Sequence, residues 1–313
     1  MLDSVPKAFF HLIARSSTLK KMASRYGMRR SSSFARRFIA GETIAEAIEA
    51  ARAVEARGLT ITLDLLGESV TSLDAADAAT REYVAVINAI VESGIERNLS
   101  LKLTQLGLDV DKASAIDNLR KILERAGPAG FFVWIDMESS AYTEVTLEIF
   151  ETLWRHGYGR IGIVLQSALY RTEEHDVQRV NALGARIRLV KGAYKERKHV
   201  AHRKKADVDA AYARVLKTLL TSGHDPAIAT HDPRMIELAR RWARAQGVPP
   251  ERFEFQMLYG IRRDLQAALV KEGYRVRVYV PFGQQWFPYF MRRLGERPAN
   301  VMFALRGILG ESR

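Results

Sequence analysis

Polar and charged side chains recur at the carboxyl ends of eight short apolar segments in the chain. They are Glu68, Lys102, Gln105, Asp136, Gln166, Arg188, Lys191, Thr230, His231, Gln256 and Tyr279. Residues of these types can bind a small polar substrate, transfer protons or stabilise developing charge. Each has an ordinary structural explanation when taken alone, so the argument rests on their recurrence at the same relative position.

Two chemistries suit this set of side chains. A lysine in an enclosed site could form a Schiff base with a carbonyl substrate, with Lys102 or Lys191 as the nucleophile. Alternatively, Gln, Thr, His and Arg side chains suit a large, flat heterocyclic cofactor with a phosphate tail. His199 and His202 lie within a basic run, so no metal site is predicted.

The elements that must position these residues alternate between strand and helix. Stretches between the apolar segments repeat apolar residues every three to four positions, which is typical of amphipathic helices. The apolar segments are Leu59–Glu68, Ser100–Leu106, Phe131–Met137, Ile161–Gln166, Arg186–Gly192, Ala227–Pro233, Arg252–Leu258 and Val276–Gly283. Eight such units predict a closed (β/α)₈ barrel, whose chemistry lies at the strand carboxyl ends. An open doubly wound sheet is the alternative, but no G-x-G-x-x-G turn follows the first segment.

Strand alternation directs two cations into the predicted barrel. If Leu101 and Leu103 face the helices, Lys102 faces the barrel mouth, and the same reasoning turns Arg188 inward. A buried charge needs a partner because an unpaired one is strongly destabilising. Asp136, on the neighbouring strand, is the expected partner of Lys102.

Composition and charge limit the class of protein. The 313 residues are 47% hydrophobic and 27% charged, which predicts a globular protein with a sizeable core. No apolar run reaches the roughly 20 residues that span a bilayer, the opening residues do not resemble a leader, and cysteine is absent. We therefore expect a cytoplasmic protein. The net charge of +12 would also suit an RNA-binding or membrane-surface protein, and these stay as alternatives.

The domain prediction is a helical N-terminal arm over residues 1–45 followed by a catalytic barrel over residues 46–313. The clearest helix near this boundary is Thr43–Gly58, with Glu46 and Glu49 in its early turns.

Eight blocks in order resemble the proline dehydrogenase family, specifically its bacterial stand-alone, monofunctional members. The blocks are "LDLLGE", "SLKLTQLGL", "IDMESS", "VLQSALYRT", "RLVKGAYKE", "ATHDP", "FEFQMLYGIR" and "YVPFGQQWFPYFMRRLGERPAN". The resemblance implies a distorted (β/α)₈ barrel that binds FAD at the strand carboxyl ends, with a C-terminal helix over the mouth. It also implies oxidation of L-proline to Δ1-pyrroline-5-carboxylate.

The resemblance assigns roles to individual residues. Arg188 matches the arginine beside flavin N5. The other cofactor positions are Met137, Gln166, Lys191, Gly192, Ala193, Thr230 and His231. We also predict that Gln256 contacts the cofactor. Positions around the substrate are Lys102, Asp136, Tyr194, Leu258, Tyr279, Tyr289, Arg292 and Arg293. We hypothesise that hydride leaves proline C5 for flavin N5 once the ring amine is uncharged, with Asp136 and Arg188 as the catalytic candidates.

The segment "YFMRRLGE" raises a separate question, because adjacent arginines on a surface helix are usually solvated. Its position after the eighth strand, together with the resemblance, favours Arg292 and Arg293 as a carboxylate clamp on a helix that moves when substrate binds. Glu296 could brace the arginines, and Glu68 is expected to neutralise the second one, Arg293.

The resemblance further implies that electrons pass to a membrane quinone and that a separate pyrroline-5-carboxylate dehydrogenase consumes the product. The basic N-terminal region is compatible with peripheral contact with an anionic membrane at its cytoplasmic face. No nucleic-acid partner is expected.

Overall fold

A computed structural model of the chain describes residues 34–296. Its eight strands are all parallel, each pairs with the next, and β1 pairs with β8, which closes a barrel. The strands are β1 Thr60–Leu65, β2 Asn98–Leu101, β3 Phe132–Ile135, β4 Ile161–Gln166, β5 Arg186–Val190, β6 Ala227–Ala229, β7 Glu254–Leu258 and β8 Arg275–Phe282. The predicted (β/α)₈ barrel is confirmed.

Helices follow the strands in the expected alternation. They are α1 Ile44–Glu55, α2 Leu73–Ser93, α3 Lys112–Ala126, α4 Ser140–Arg155, α5 Val177–Asn181, α6 Lys205–Ser222, α7 Pro233–Ala245, α8 Arg263–Lys271 and α9 Trp286–Glu296. Across residues 34–296, no helix combines the length and apolarity needed to cross a membrane.

The lead-in helix α1 begins where its sequence signals a start. Thr43 accepts a hydrogen bond from the Glu46 backbone N–H, and the Glu46 side chain accepts one from the Thr43 backbone N–H. This capping box satisfies two backbone donors that the first turn would otherwise leave unpaired. Residues 1–33 of the predicted helical arm lie outside the described residues.

The second strand differs from its predicted bounds. β2 ends at Leu101, Lys102 is extended, and Leu103–Leu106 forms a 3₁₀ helix that ends at Gly107 with φ +102°. The strand prediction was therefore wrong beyond Leu101, because apolar residues at positions 103 and 106 suit one face of a 3₁₀ turn as well as a strand. The prediction that Lys102 faces the barrel mouth holds, since it is the first residue after the strand.

Ion pairs fill the barrel interior near the amino ends of its strands. Arg277 on β8 donates to Glu254 Oε1 on β7 at 3.0 Å and to Glu96 Oε1 at 2.7 Å. Arg186 Nη2 lies 3.4 Å from the same Glu254 oxygen. These charged groups occupy the interior opposite the carboxyl ends, which are the catalytic ends of such barrels.

Helix α9 is held over the barrel by the segment that precedes α1. An apolar cluster joins Phe38 and Ile39 to Trp286 and Phe287, and the Trp286 indole donates to Glu42 Oε1 at 2.8 Å. Gly260, with φ +74°, permits the close approach of this segment, because a Cβ there would lie 1.7 Å from the Arg37 carbonyl oxygen.

Candidate active site

Asp136, the first residue after β3, is the centre of the polar network at the barrel mouth. Its Oδ1 accepts hydrogen bonds from Ser100 Oγ at 2.7 Å and from Arg188 Nη1 at 2.8 Å. Its Oδ2 accepts one from Tyr279 Oη at 2.7 Å and lies 3.6 Å from Lys102 Nζ. One carboxylate therefore contacts groups from three other strands or their ends, β2, β5 and β8, which is how a barrel fixes a catalytic constellation.

Lys102 has a second carboxylate partner that the sequence interpretation missed. Asp64 on β1 is fully buried, and its Oδ1 lies 3.4 Å from Lys102 Nζ. Burial alone would lower the pKa of Lys102, but Asp64 and Asp136 outweigh it and raise that pKa above its ordinary value. Lys102 is therefore held as an ammonium. Strand alternation could have found Asp64, since Thr62 and Asp64 share the face opposite Leu63.

Arg188 lies inside the barrel on β5 with its guanidinium close to two aromatic rings. Its Cζ is 4.5 Å from the centroid of Trp134 and 5.4 Å from that of Tyr279. The side chain is 4% exposed, and within residues 34–296 its Nε and Nη2 have no hydrogen-bond partner. A buried guanidinium with unused donors is suited to an acceptor that binds beside it.

The C-terminal helix brings one of the two predicted arginines into the cavity at the mouth. Arg292 Nη1 donates to Glu68 Oε1 at 2.6 Å, whereas Arg293 lies over the ring of Tyr289 at 5.2 Å. The prediction that Glu68 neutralises Arg293 was wrong, because the turn of α9 directs Arg292 toward β1 instead. The predicted bracing by Glu296 lies outside the side chains that the structure describes.

A small cavity lies between α9 and the mouth of the barrel. Its lining combines both signs of charge with apolar surface, which suits a small zwitterion. The residues that line it are Leu66, Gly67, Glu68, Lys102, Gln285, Pro288, Tyr289 and Arg292.

All of the predicted cofactor positions except Gln256, which is on β7, lie on or directly after β3, β4, β5 and β6. Gln166 is buried at the end of β4, and its Nε2 donates to the Glu138 carbonyl at 2.6 Å. Gly192 has φ +104°, and a Cβ there would lie 2.9 Å from Gln166 Oε1. The adjoining Ala193 and Tyr194 are exposed. Gly192 and Ala193 thus present backbone and small side chains directly after β5, where a flat ring could approach closely.

Lys191 is part of a separate ion-pair cluster rather than of the central network. Its Nζ lies 2.5 Å from Asp209 Oδ1 and 2.9 Å from Asp232 Oδ2. Lys205 and Arg234 also pair with these two carboxylates. Lys191 is therefore neutralised by acidic partners.

Of the remaining predicted cofactor residues, three lie at the barrel mouth and one, Gln256, faces the barrel interior. His231 Nε2 accepts the backbone N–H of Leu258 at 2.9 Å, which joins the ends of β6 and β7. Thr230 is buried and accepts the backbone N–H of Asp232 at 3.1 Å, and Met137 is buried beside Asp136. Gln256 instead donates to Glu254 Oε1 at 2.6 Å, so its amide faces the interior ion pairs.

The arrangement fits a flat, acceptor-bearing cofactor. The donors that Arg188 leaves unused, the positive-φ Gly192 and the exposed chain after β5 all occur at the same end of the barrel. Acceptor atoms along the edge of a heterocycle would accept hydrogen bonds from the donors that have no partner among the described protein groups.

Comparisons with known proteins agree with this geometry. Residues 47–306 match the family model described as "Proline dehydrogenase". The chain is 42% identical to proline dehydrogenase 2 of Bacillus subtilis, over 97% of this chain and 99% of that protein. It is 43% identical to the proline dehydrogenase of Deinococcus radiodurans, over 88% of this chain and 90% of that protein.

A solved structure shows the same fold. The chain superposes on proline utilization A from Bdellovibrio bacteriovorus, inactivated by N-propargylglycine, with a TM-score of 0.79 and 25% identity. That match covers 98% of this chain and 40% of the longer protein. The chain therefore belongs to the proline dehydrogenase family of enzymes.

Proposed function

We propose that this protein oxidises L-proline to Δ1-pyrroline-5-carboxylate with FAD bound at the carboxyl ends of the strands. The observation that carries the proposal is the buried Arg188, whose unused donors lie in the same polar network as Lys102 of the substrate cavity. A cation beside the cofactor and cations in the cavity are what a flavin-dependent oxidation of a small amino acid requires.

The substrate's carboxylate is assigned to the cationic wall of the cavity. Arg292 can form a bidentate pair with a carboxylate, and Lys102 supplies a point charge. The apolar ring of proline is assigned to Leu258, Tyr279 and Tyr289. Tyr279 is fixed for this role by its hydrogen bond to Asp136.

The residues that would hold the cofactor are Arg188, Gln166, Gly192, Ala193 and Thr230, with Met137, Lys191, His231 and Gln256 as further predicted positions. Bound FAD would supply the acceptor for the hydride that leaves proline C5. The protein contributes the position of the substrate and a fixed guanidinium at Arg188, which favours negative charge developing beside it. Asp136 holds that guanidinium in place through Oδ1.

The lysine geometry does not favour the alternative Schiff-base chemistry. Lys102 and Lys191 each contact two carboxylates, and an ammonium held in this way is a poor nucleophile. We expect no covalent adduct after borohydride treatment with carbonyl substrates, as measured by intact mass. A trapped adduct at either lysine would support the lyase instead.

Electron transfer to a membrane quinone and consumption of the product by a separate pyrroline-5-carboxylate dehydrogenase complete the proposal. Exposed basic residues between β5 and α6, among them Lys195, Arg197 and Lys198, support contact with an anionic membrane surface. The matching test is co-sedimentation with anionic and neutral vesicles at low and high salt.

Absorbance spectroscopy tests the central proposal. The purified protein should be yellow, lose its visible flavin absorbance on addition of L-proline, and recover it with a quinone. D-proline is the matched control, because its carboxylate cannot reach Arg292 with C5 in the same position. A colourless protein that cannot take up FAD would refute the proposal.

A further inference from the structure

Asp64 is a buried carboxyl group whose only role assigned above is as a partner of Lys102. It points into the barrel from β1, and its side chain is 1% exposed. Its Oδ1 contacts Lys102 Nζ at 3.4 Å, whereas within residues 34–296 its Oδ2 has no hydrogen-bond partner. A buried carboxyl oxygen that accepts no hydrogen bond destabilises the folded protein, so the position of Asp64 beside the cavity needs an explanation.

The two carboxyl groups that flank Lys102 differ in the number of hydrogen bonds that they accept from the described residues. Asp136 already accepts from Ser100, Arg188 and Tyr279 as well as lying near Lys102. These contacts occupy both oxygens of Asp136. Asp64 Oδ1 has one long contact, with Lys102 Nζ at 3.4 Å, so a proton can pass along that contact to Oδ1 without breaking a hydrogen bond to another of the described residues.

We propose that Asp64, acting through Lys102, accepts the proton that the ring ammonium of the substrate must lose before it can be oxidised. This inference rests on the proposed function, because it concerns the same substrate. A proton on Lys102 Nζ moves to Asp64 Oδ1, and the lone pair left on Nζ takes the proton from the ring nitrogen. Lys102 ends as an ammonium, Asp64 becomes neutral, and the N–H electron pair stays on the ring nitrogen. Asp64 is thus a positioning residue that holds a proton, and Lys102 is the residue on the cavity wall.

The surroundings of Asp64 agree with this assignment. Burial has the largest effect and raises the pKa of Asp64 above its ordinary value. Lys102 and the Tyr279 hydroxyl lower that pKa, and Asp136 adds to the rise. The other charged or titratable groups facing this site are Tyr83 of α2, Arg188 of β5, Tyr279 of β8, and Glu68 and Glu138 near the mouth. A neutral Asp64 is therefore accessible in this environment when a proton arrives from the cavity.

The test compares the FAD-loaded enzyme with its Asp64→Asn variant by rapid-mixing measurement of flavin reduction. The unmodified enzyme accepts zwitterionic proline, whereas the variant must wait for the rare form with a neutral amine. At pH about 7 the second-order rate of reduction should fall by roughly 100-fold or more, in line with general acid–base contributions. The deficit should shrink about tenfold with each pH unit, because the neutral-amine fraction rises tenfold. Cyclopentanecarboxylate, which has no ring nitrogen, should bind both enzymes with a similar Kd.

Asp225→Asn is the matched control, since Asp225 pairs with Arg186 before β6 and its φ of +47° suits asparagine. It should keep the unmodified rate and pH profile. A loss in Asp64→Asn that does not change with pH, a parallel loss of cyclopentanecarboxylate binding, or no loss at all would overturn the inference. If the unmodified enzyme is not reduced by L-proline, it is the proposed function that fails.

Should Asp64→Asn fail to fold, the unmodified enzyme can still decide the question. Rapid mixing with L-proline and a pH-indicator dye should show no proton released to solvent as the flavin is reduced. Release of one proton per site in step with proline binding would overturn the inference.

Discussion

The Arg292–Glu68 ion pair allows substrate binding to be tested in two opposite directions. Arg292 Nη1 is 2.6 Å from Glu68 Oε1, and the side chains are 20% and 32% exposed. Both residues line the cavity beside Lys102. A substrate carboxylate that enters must share or displace Glu68 at the guanidinium. Changes to the arginine and to the glutamate should therefore move the KM for proline in opposite directions.

Arg292→Lys should raise the KM strongly. Lysine keeps the charge but lacks the planar fork that holds a carboxylate with two parallel hydrogen bonds. Losing one hydrogen bond to a charged group costs about 1.5–3 kcal/mol, which corresponds to roughly a 10- to 150-fold rise in KM. The kcat should change little, because the carboxylate contact is made equally in the ground state and the transition state.

Glu68→Gln should lower the KM. A partly exposed ion pair contributes about 0.2–1 kcal/mol, so removing the competing carboxylate should improve KM by at most about fivefold. The same change removes a contact that holds α9 over the barrel, which limits the gain.

Steady-state turnover with L-proline and an artificial quinone measures both effects, with flavin absorbance per protein to show that the cofactor site is intact. Arg241→Lys is the control, because Arg241 on α7 is 70% exposed and its nearest described ion-pair partner is Glu237 at 3.8 Å. An unchanged KM in Arg292→Lys would refute the clamp. Parallel increases in KM for Glu68→Gln and Arg292→Lys would show that the pair serves only to hold α9.

Three further predictions concern the network, the cofactor approach and acid stability. Asp136→Ala removes the acceptor of the Arg188 and Tyr279 hydrogen bonds. The kcat should therefore fall by at least about 100-fold. Unchanged turnover together with unchanged proline affinity would rule out a role for Asp136. Gly192→Ala places a Cβ 2.9 Å from Gln166 Oε1 at a residue with φ +104°, which should cost about 1–3 kcal/mol. It should lower the flavin content and the Tm. Gly94→Ala is the control and should lower them less, because the added Cβ there meets open space. For Glu254, burial raises the pKa, but its arginine partners outweigh that and lower it to about 2. Because the folded value lies below the unfolded value, about 3 kcal/mol of stability should be present above pH about 5 and disappear as the pH falls toward 2. Urea unfolding at several pH values should show this loss, and Glu254→Gln should flatten it; an equally steep loss in the variant would contradict the assignment.

Much of the fold could be predicted from the sequence because the controlling signals are local. Apolar runs, helical periodicity and the positions of polar residues at strand ends depend on neighbours within a few residues. They were sufficient for the closed barrel and for the inward direction of Lys102 and Arg188. The end of β2 was misplaced because four residues with two leucines fit either a strand or a 3₁₀ turn, and only pairing with β3 decides where the strand stops.

The site's pairings depended on the tertiary structure. Asp64 and Lys102 are 38 positions apart, and Glu68 and Arg292 are 224 apart. Closure of the barrel brings β1 against β8 and therefore beside α9, and no local pattern encodes which arginine then faces β1. The residue types at the mouth, and the barrel that brings them together, follow from local patterns along the chain. Which acid faces which base was decided by the geometry of closure, because ion pairs act over a few ångströms in space and not over positions along the chain.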